Sequence, residues 1–235
     1  MKRKLLFIFF VFSISISISY GQTIYGITGL IKTPDAYIIE NGKCIFGMAY
    51  YKDYHSEPDI LTEQWTINFN IGFHSRFELG VRLAGFPGTK GDSYIYDMSF
   101  DRILNFKYLL FKEKKILPQL AIGMQDIVGT RFHNSSYIIG SKAIALNRAL
   151  KITFNLGYGC KLNDLILGDA SNHHFIGFFG GGEIGIKNTI FLVSEYDAKD
   201  LNAGFKLAIK DWLKLSFSWM DMKTPSAGLS LKFTI

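Results

Sequence analysis

Ala227-Gly228-Leu229-Ser230-Leu231-Lys232-Phe233-Thr234-Ile235 alternates without a break. Leu229, Leu231, Phe233 and Ile235 share one face, and Gly228, Ser230, Lys232 and Thr234 share the other. Successive side chains of a strand point to opposite sides, so the stretch is a ribbon, apolar on one face and polar on the other. The chain stops on this ribbon. A closing strand of this kind, in a chain that opens like an exported one, points to an outer-membrane β-barrel.

The same period of two recurs upstream. Trp65, Ile67, Phe69, Ile71 and Phe73 oppose Thr66, Asn68, Asn70 and Gly72. Beyond a turn at His74-Ser75, the residues Phe77, Leu79, Val81 and Leu83 oppose Arg76, Glu78, Gly80 and Arg82. Residues 150–158, 201–209 and 212–220 alternate likewise, and weaker ribbons lie near 43–51, 101–111, 119–126, 137–142, 182–186 and 189–196. The count is about twelve strands, an even number as single-chain bacterial barrels require. The expected fold is all-β, an antiparallel transmembrane barrel of about 12 strands following a cleaved signal peptide. Short connections such as Lys187-Asn188 and Lys210-Asp211 belong on the periplasmic side. Longer ones at 53–62, 87–93 and 161–174 belong on the outside. A soluble β-sandwich alternates too, because it buries its apolar faces between two sheets. The export signal, the closing strand and the aromatic-rich apolar faces favour the barrel.

Lys2, Arg3 and Lys4 precede an apolar run at 5–19, short for a membrane span, and Ser19 and Gly21 are small residues suited to cleavage before Gln22. Residues 1–21 therefore read as a signal peptide and 22–235 as one barrel domain. No Cys follows the cleavage point, so a lipid-anchored protein is not expected. The net charge of +6 falls to +3 once those three cations leave, a spread surplus that excludes nucleic acid as a partner. The 21 Phe, 12 Tyr and 3 Trp suit an aromatic-girdled barrel. Cys44 and Cys160 fall by parity on apolar faces and read as small outward-facing residues.

The polar faces carry Arg76, Glu78, Arg82, Lys107, Lys151, Glu183, Glu195 and Lys206. In a barrel these line the lumen, either as a charged passage for a polar substrate or as a packed, salt-bridged interior. Arg76, Glu78, Arg82, Lys151, Glu195 and Lys206 are the candidates for contact with a polar chain or a plugging segment. His133-Asn134-Ser135-Ser136 and Ser171-Asn172-His173-His174 contain hydrolase-type residues, but strand neighbours point to opposite faces and no Gly-x-Ser-x-Gly elbow is present. The two histidines lack a third metal ligand at a telling spacing. The chain is not expected to be an enzyme, and no metal or cofactor is expected. Tyr51, Tyr54 and Tyr94 are candidates for docking sugars or protein from loops.

Three segments carry a further signal: residues 26–36, Gly-Ile-Thr-Gly-Leu-Ile-Lys-Thr-Pro-Asp-Ala; residues 77–82, Phe-Glu-Leu-Gly-Val-Arg; and residues 118–130, Pro-Gln-Leu-Ala-Ile-Gly-Met-Gln-Asp-Ile-Val-Gly-Thr, followed by Tyr137, Ser141-Lys142 and residues 156–159. In this order and spacing they resemble the YjbH family of outer-membrane proteins, linked to exopolysaccharide and capsule production. Gly29, Leu30, Thr33, Pro34, Asp126, Gly129 and Thr130 are the positions that carry the family motifs. Ser136 stands where the family pattern tends to be acidic, and family members are often much longer, so the chain resembles one barrel unit. The resemblance implies a barrel of the Gram-negative outer membrane that assists polysaccharide assembly or export. Its implied partners are outer-membrane lipid, polysaccharide and other envelope export proteins. The residues add their own reading. Pro34 lacks a donor and holds Thr33 extended, which gives a tight entry segment that either begins the barrel or folds into its lumen. Asp126 reads as a turn residue capping backbone donors.

Overall fold

A computed structural model describes residues 21–54, 61–87, 98–128, 133–161 and 175–235. They form twelve antiparallel strands: β1 (Lys43–Tyr54), β2 (Leu61–Phe73), β3 (Phe77–Pro87), β4 (Met98–Phe111), β5 (Gln119–Gln125), β6 (Ser135–Ala145), β7 (Leu150–Cys160), β8 (Gly177–Ile186), β9 (Ile190–Tyr196), β10 (Leu201–Lys210), β11 (Leu213–Met220) and β12 (Thr224–Thr234). Each pairs with its chain neighbours, and β12 returns to β1 to close the barrel. The alternating stretch at 227–235 forms this seam. Phe233 pairs with Cys44, Leu231 with Phe46 and Leu229 with Met48, while on its other edge Leu229 and Leu231 pair with Leu215 and Leu213. A sandwich is thereby excluded.

Closure leaves no free strand edge, so each wall strand is paired on both sides. The outward side chains then meet whatever solvent the barrel occupies. Large apolar residues stand exposed all round it, among them Leu156 at 67%, Trp65 at 59% and Phe154 at 53%. Such an apolar surface is far larger than soluble proteins display and matches the lipid-facing band of membrane barrels. Aromatic pairs gather toward both margins: Tyr50 with Trp65 and Tyr158 with Phe178 near one end, Phe73 with Phe77 and Phe77 with Tyr108 near the other. Both cysteines are free and both have outward register; Cys160 is exposed, and Cys44 is covered at the seam.

The hairpins His74-Ser75, Lys187-Asn188 and Asp221-Met222 each place two consecutive residues at positive φ, the turn geometry that matches the twist of paired strands. Counting from β1, the connections alternate between two ends. The stretches expected as outer loops all join strands at one end, opposite Lys43 and Ile235, although 55–60, 88–97 and 162–174 lie outside the described residues. Residues 1–20, where the signal peptide is expected, lie outside them as well. Ile235 donates its N–H to the Gly42 carbonyl, so both ends of the wall meet at the short-turn end.

A barrel of this strand number is wider than the eight-stranded kind that wall side chains alone can fill. Here residues 21–39 occupy the lumen. Tyr25, Ile27, Leu30, Ile31 and Ala36 of that segment are buried and form one apolar cluster with wall residues Tyr51, Ala121, Ile139, Phe179 and Val193. The segment is a plug.

Candidate functional site: the plugged lumen

The plug folds on itself before it meets the wall. Ile24 donates to the Ile31 carbonyl (3.0 Å), Leu30 to Thr33 (2.9 Å) and Asp35 to Thr28 (3.2 Å), and Gly29 bridges Pro34. A Cβ at Gly29 would lie 2.2 Å from the Thr33 carbonyl oxygen, so this crossing admits only glycine. Gly26 sits at φ +75°, and the wall admits it because Gly80 opposite has no side chain; a Cβ there would lie 2.2 Å from the Gly26 oxygen. The inward glycines make room for plug backbone.

Two wall glutamates then take hold of it. Glu195 on β9 accepts the backbone N–H groups of Ile31 (3.0 Å), Lys32 (2.7 Å) and Thr33 (3.1 Å), the Thr33 hydroxyl (2.7 Å) and the Asn202 amide (3.1 Å). Successive N–H groups converging on one carboxylate make an anion nest, with the motif supplying the donors and the wall the anion. Glu78 on β3 accepts the Thr28 N–H (2.9 Å) and hydroxyl (2.7 Å) and the Asn70 amide (3.2 Å), and faces the Lys107 ammonium at 3.4 Å. Lys107 also reaches the Thr28 hydroxyl, the Thr28 carbonyl (3.2 Å), and the Asp35 carbonyl and carboxylate (3.1 and 3.3 Å).

The remaining candidates divide. Arg82 is fully buried, with its guanidinium 3.3 Å from Asp101, hydrogen-bonded to Tyr51 and Gln64, and 5.4 Å from the centre of the Tyr25 ring. Lys206 joins Glu183 (3.0 Å) to the Gly29 carbonyl (3.0 Å). Lys151 faces inward at the short-turn end of β7, half-buried, in register with Gly185 and Ala145. Arg76 departs from expectation: it lies in the β2–β3 turn, exposed, because pairing ends at Phe73 and Phe77 and leaves residues 74–76 outside the ladder. Tyr51, expected in a docking loop, is an inward β1 residue bonded to Gln64 and Arg82. The side chain of Tyr54 and all of Tyr94 lie outside the described residues.

Asp126 sits at φ 53° and accepts the His133 N–H (2.9 Å), the capping role its turn implied; Gly129 and Thr130 lie outside the described residues. His133 packs its ring 5.4 Å from Tyr25, Ser135 points inward, and Ser136 points outward beside Cys160, so the two serines occupy opposite faces. His173 and His174 lie outside the described residues, among which no group of three or more metal-type ligands occurs. The polar side chains that a charge-based reading passed over are Asn105, which donates to the Tyr25 and Gly26 carbonyls (2.7 and 3.1 Å), and Gln119 and Ser141, which satisfy the Ala36 carbonyl and N–H (2.8 and 2.7 Å). Inward parity was the signal that marked them.

At the long-loop end Lys32 reaches out of the plug to two turns, 3.0 Å from Asp197 and 3.1 Å from Asp221. Burial works to raise the Asp197 pKa, but Lys32 and hydrogen bonds from Asp200 and Asn202 outweigh it and hold the carboxyl below its ordinary range. The plug is thus pinned near both ends of the barrel.

A closed, lipid-faced wall with a lumen stoppered by its own preceding segment defines the class: a plugged membrane β-barrel. All three sequence segments singled out above meet at that stopper, residues 26–36 as the plug and the other two as its sockets. The YjbH family, described as "Exopolysaccharide biosynthesis protein YbjH", matches residues 21–235, and the chain belongs to that family. It is similar to the "Uncharacterized lipoprotein YjbH" of Escherichia coli (strain K12), 26% identical over 142 residues, which are 59% of this chain and 19% of that protein. The chain therefore spans about a fifth of the length of this curated relative. Among solved structures it is similar to a KdgM porin (10% identical, TM-score 0.49, 81% of this chain and 99% of that one). It is also similar to a triple mutant of the Rhodopseudomonas blastica porin (10% identical, TM-score 0.31, 83% and 99%).

Proposed function

We propose that this chain is a barrel of the Gram-negative outer membrane that assists exopolysaccharide assembly or export, held shut at rest by its own motif segment. The observation that carries the reading is the convergence of the family segments on the plug: Glu78, Arg82, Gln119 and Ser141 all grip residues 25–36 or pack on them. Residues that define an exopolysaccharide family are spent here on holding a stopper, so control of the lumen is the function they serve. Buried Glu78, Glu183 and Glu195 are engaged by plug donors or lysines, which supports a holding role for them. Its long-loop end faces the cell exterior and its short-turn end the periplasm.

The test is the amount and location of exopolysaccharide in a strain lacking this chain, set against a complemented strain. Polymer lost from the surface and accumulating in the periplasm is the expected result. Unchanged surface polymer overturns the reading. The filled lumen also favours a second role, a barrel that anchors other envelope proteins instead of passing polymer. Plug-releasing variants that keep surface polymer at the wild-type level would support it.

A further inference from the structure

We infer that the short-turn mouth of the barrel is a docking surface for an acidic polysaccharide, held through its carboxylate groups. The inference rests on the exopolysaccharide reading above and adds the charge class of the polymer and the place where it meets the protein.

Charge is distributed unevenly along the barrel axis. Four of the five connections at the short-turn end carry a cation, Arg76 after β2, Lys114 after β4, Arg148 after β6 and Lys187 after β8, and Lys210 closes β10 just before the fifth. Glu113 and Asp211 are the acids on those connections. Turns alone would suit lipid phosphates as well as any other anion. The next ring decides between them. Lys43, Lys151, Lys214 and Lys232 lie at the same end of their strands, and each falls on the inward register, two residues from Ile45, Thr153, Ser216 and Ser230 respectively. Alternation points these four toward the lumen axis, where no lipid reaches. One carboxylate, Glu40, is shared by two of them, bonded to Lys43 and 3.6 Å from Lys232. Lysines of the adjacent strands β11, β12 and β1, with Lys151 on β7, therefore line the opening itself.

Beyond the ring the wall changes character. Inward positions of β11 and β12 run Ser216, Ser218, Ser226, Gly228 and Ser230; Ser218 and Ser226 are buried and bonded to each other toward the long-loop end, while Ser216 and Ser230 stand half-buried nearer the mouth. A cavity of about 30 Å³ remains there, bounded on the plug side by Gln22, Ile24 and Leu30 and on the wall side by these serines and Lys206. Lysines at the rim, with the Ser216 and Ser230 hydroxyls two residues behind Lys214 and Lys232, match a chain that is anionic at intervals and hydroxylated throughout. An acidic protein segment would use the lysines but not the serine wall. A cationic mouth also raises the local concentration of a polyanion, an effect that salt screens.

The experiment uses the purified full barrel in detergent, with alginate as the acidic polymer and dextran and esterified alginate as uncharged controls. Alginate is expected to bind and both controls to fail, with affinity falling steeply as salt rises. The combined variant Lys43→Gln, Lys151→Gln, Lys214→Gln, Lys232→Gln is expected to lose at least tenfold in affinity, and the turn variant Arg148→Gln, Lys187→Gln, Lys210→Gln to lose less. Equal binding of esterified and native alginate by the wild-type protein overturns the inference and needs no variant to fold. So does wild-type affinity in the mouth variant, or binding that follows the turn variant and the phosphatidylglycerol content of nanodiscs, which would assign the charge to lipid. Because binding is read in vitro, absent binding beside an intact strain phenotype removes the docking surface alone. Binding beside an absent phenotype removes the export reading alone.

Discussion

Replacing Glu195 with Ala is expected to turn a silent barrel into a conducting one. In planar bilayers the wild-type protein should show no steady current, since the lumen is filled by residues 21–39 and pinned near both ends. Glu195 receives five hydrogen bonds, three of them from consecutive backbone N–H groups. Alanine leaves those donors buried against an apolar methyl group, and each unsatisfied buried donor costs about 1–3 kcal/mol. Removing one member of a buried charged arrangement typically costs about 3–5 kcal/mol in all. The wall does not share that loss. Strand β9 keeps its ladders to β8 and β10, so the barrel should remain folded while the plug loses its firmest hold. What remains at that end is Lys32 with its two aspartates, a buried contact to Asp197 and a partly exposed one to Asp221. Steady current steps in Glu195→Ala, with retention of the heat-modifiable migration of a folded barrel, is the expected result. Glu195→Gln should fall between, because its carbonyl still accepts while its amide opposes the nest. A Glu195→Ala protein as silent as wild type would show that the nest does not hold the plug.

The wall and the plug differ in how legible they are in the chain, and the reason is physical. A wall strand meets lipid on one side and a polar lumen on the other, so every second residue answers to a different solvent and the period of two survives even in short elements. Residues 119–126 and 189–196, weak as ribbons, are β5 and β9 to within a residue or so. The plug has no such period. It is wrapped on all sides by wall, and its conformation is set by Gly26, by the Gly29–Pro34 crossing, and by partners as far as 189 residues away. Local reading could say only that residues 26–36 were tight and extended. The charged candidates fared according to parity. Glu78, Arg82, Glu195 and Lys206 all lie within the paired ladder, where alternation is reliable, and all touch the plug or its neighbours. Arg76 lies at a turn, where one residue more or less outside the ladder decides its side. Tyr51 was read for its aromatic ring near a loop, while its odd-numbered place among Ile45, Gly47 and Ala49 already put it inside.

Lys107→Met is expected to cost the folded barrel about 3–5 kcal/mol, the range for stripping one partner from a buried ion pair. The ammonium is fully buried and stands between two acids, Glu78 at 3.4 Å and Asp35 at 3.3 Å, while three further oxygens of Thr28 and Asp35 accept from it. Methionine keeps much of the length and volume but neither charge nor donors. Two carboxylates are then left facing each other where water does not screen them, and like charges at such range oppose the ionised form. The deficit should consequently shrink as pH falls and one of the two takes up a proton, and grow again toward neutral and alkaline pH. Neutralising one acid at the same time should act in the same sense. The double variant Lys107→Met, Glu78→Gln removes one charge of each sign and keeps a carbonyl to accept the Thr28 N–H. Its loss should therefore be smaller than the sum of the two single losses, the mark of residues in one network. Urea unfolding of the three variants in detergent, each at two pH values, reads both effects. Additive losses that do not change with pH would mean that Lys107 serves the lumen only as bulk, and that the plug is held by hydrogen bonds to its backbone rather than by charge.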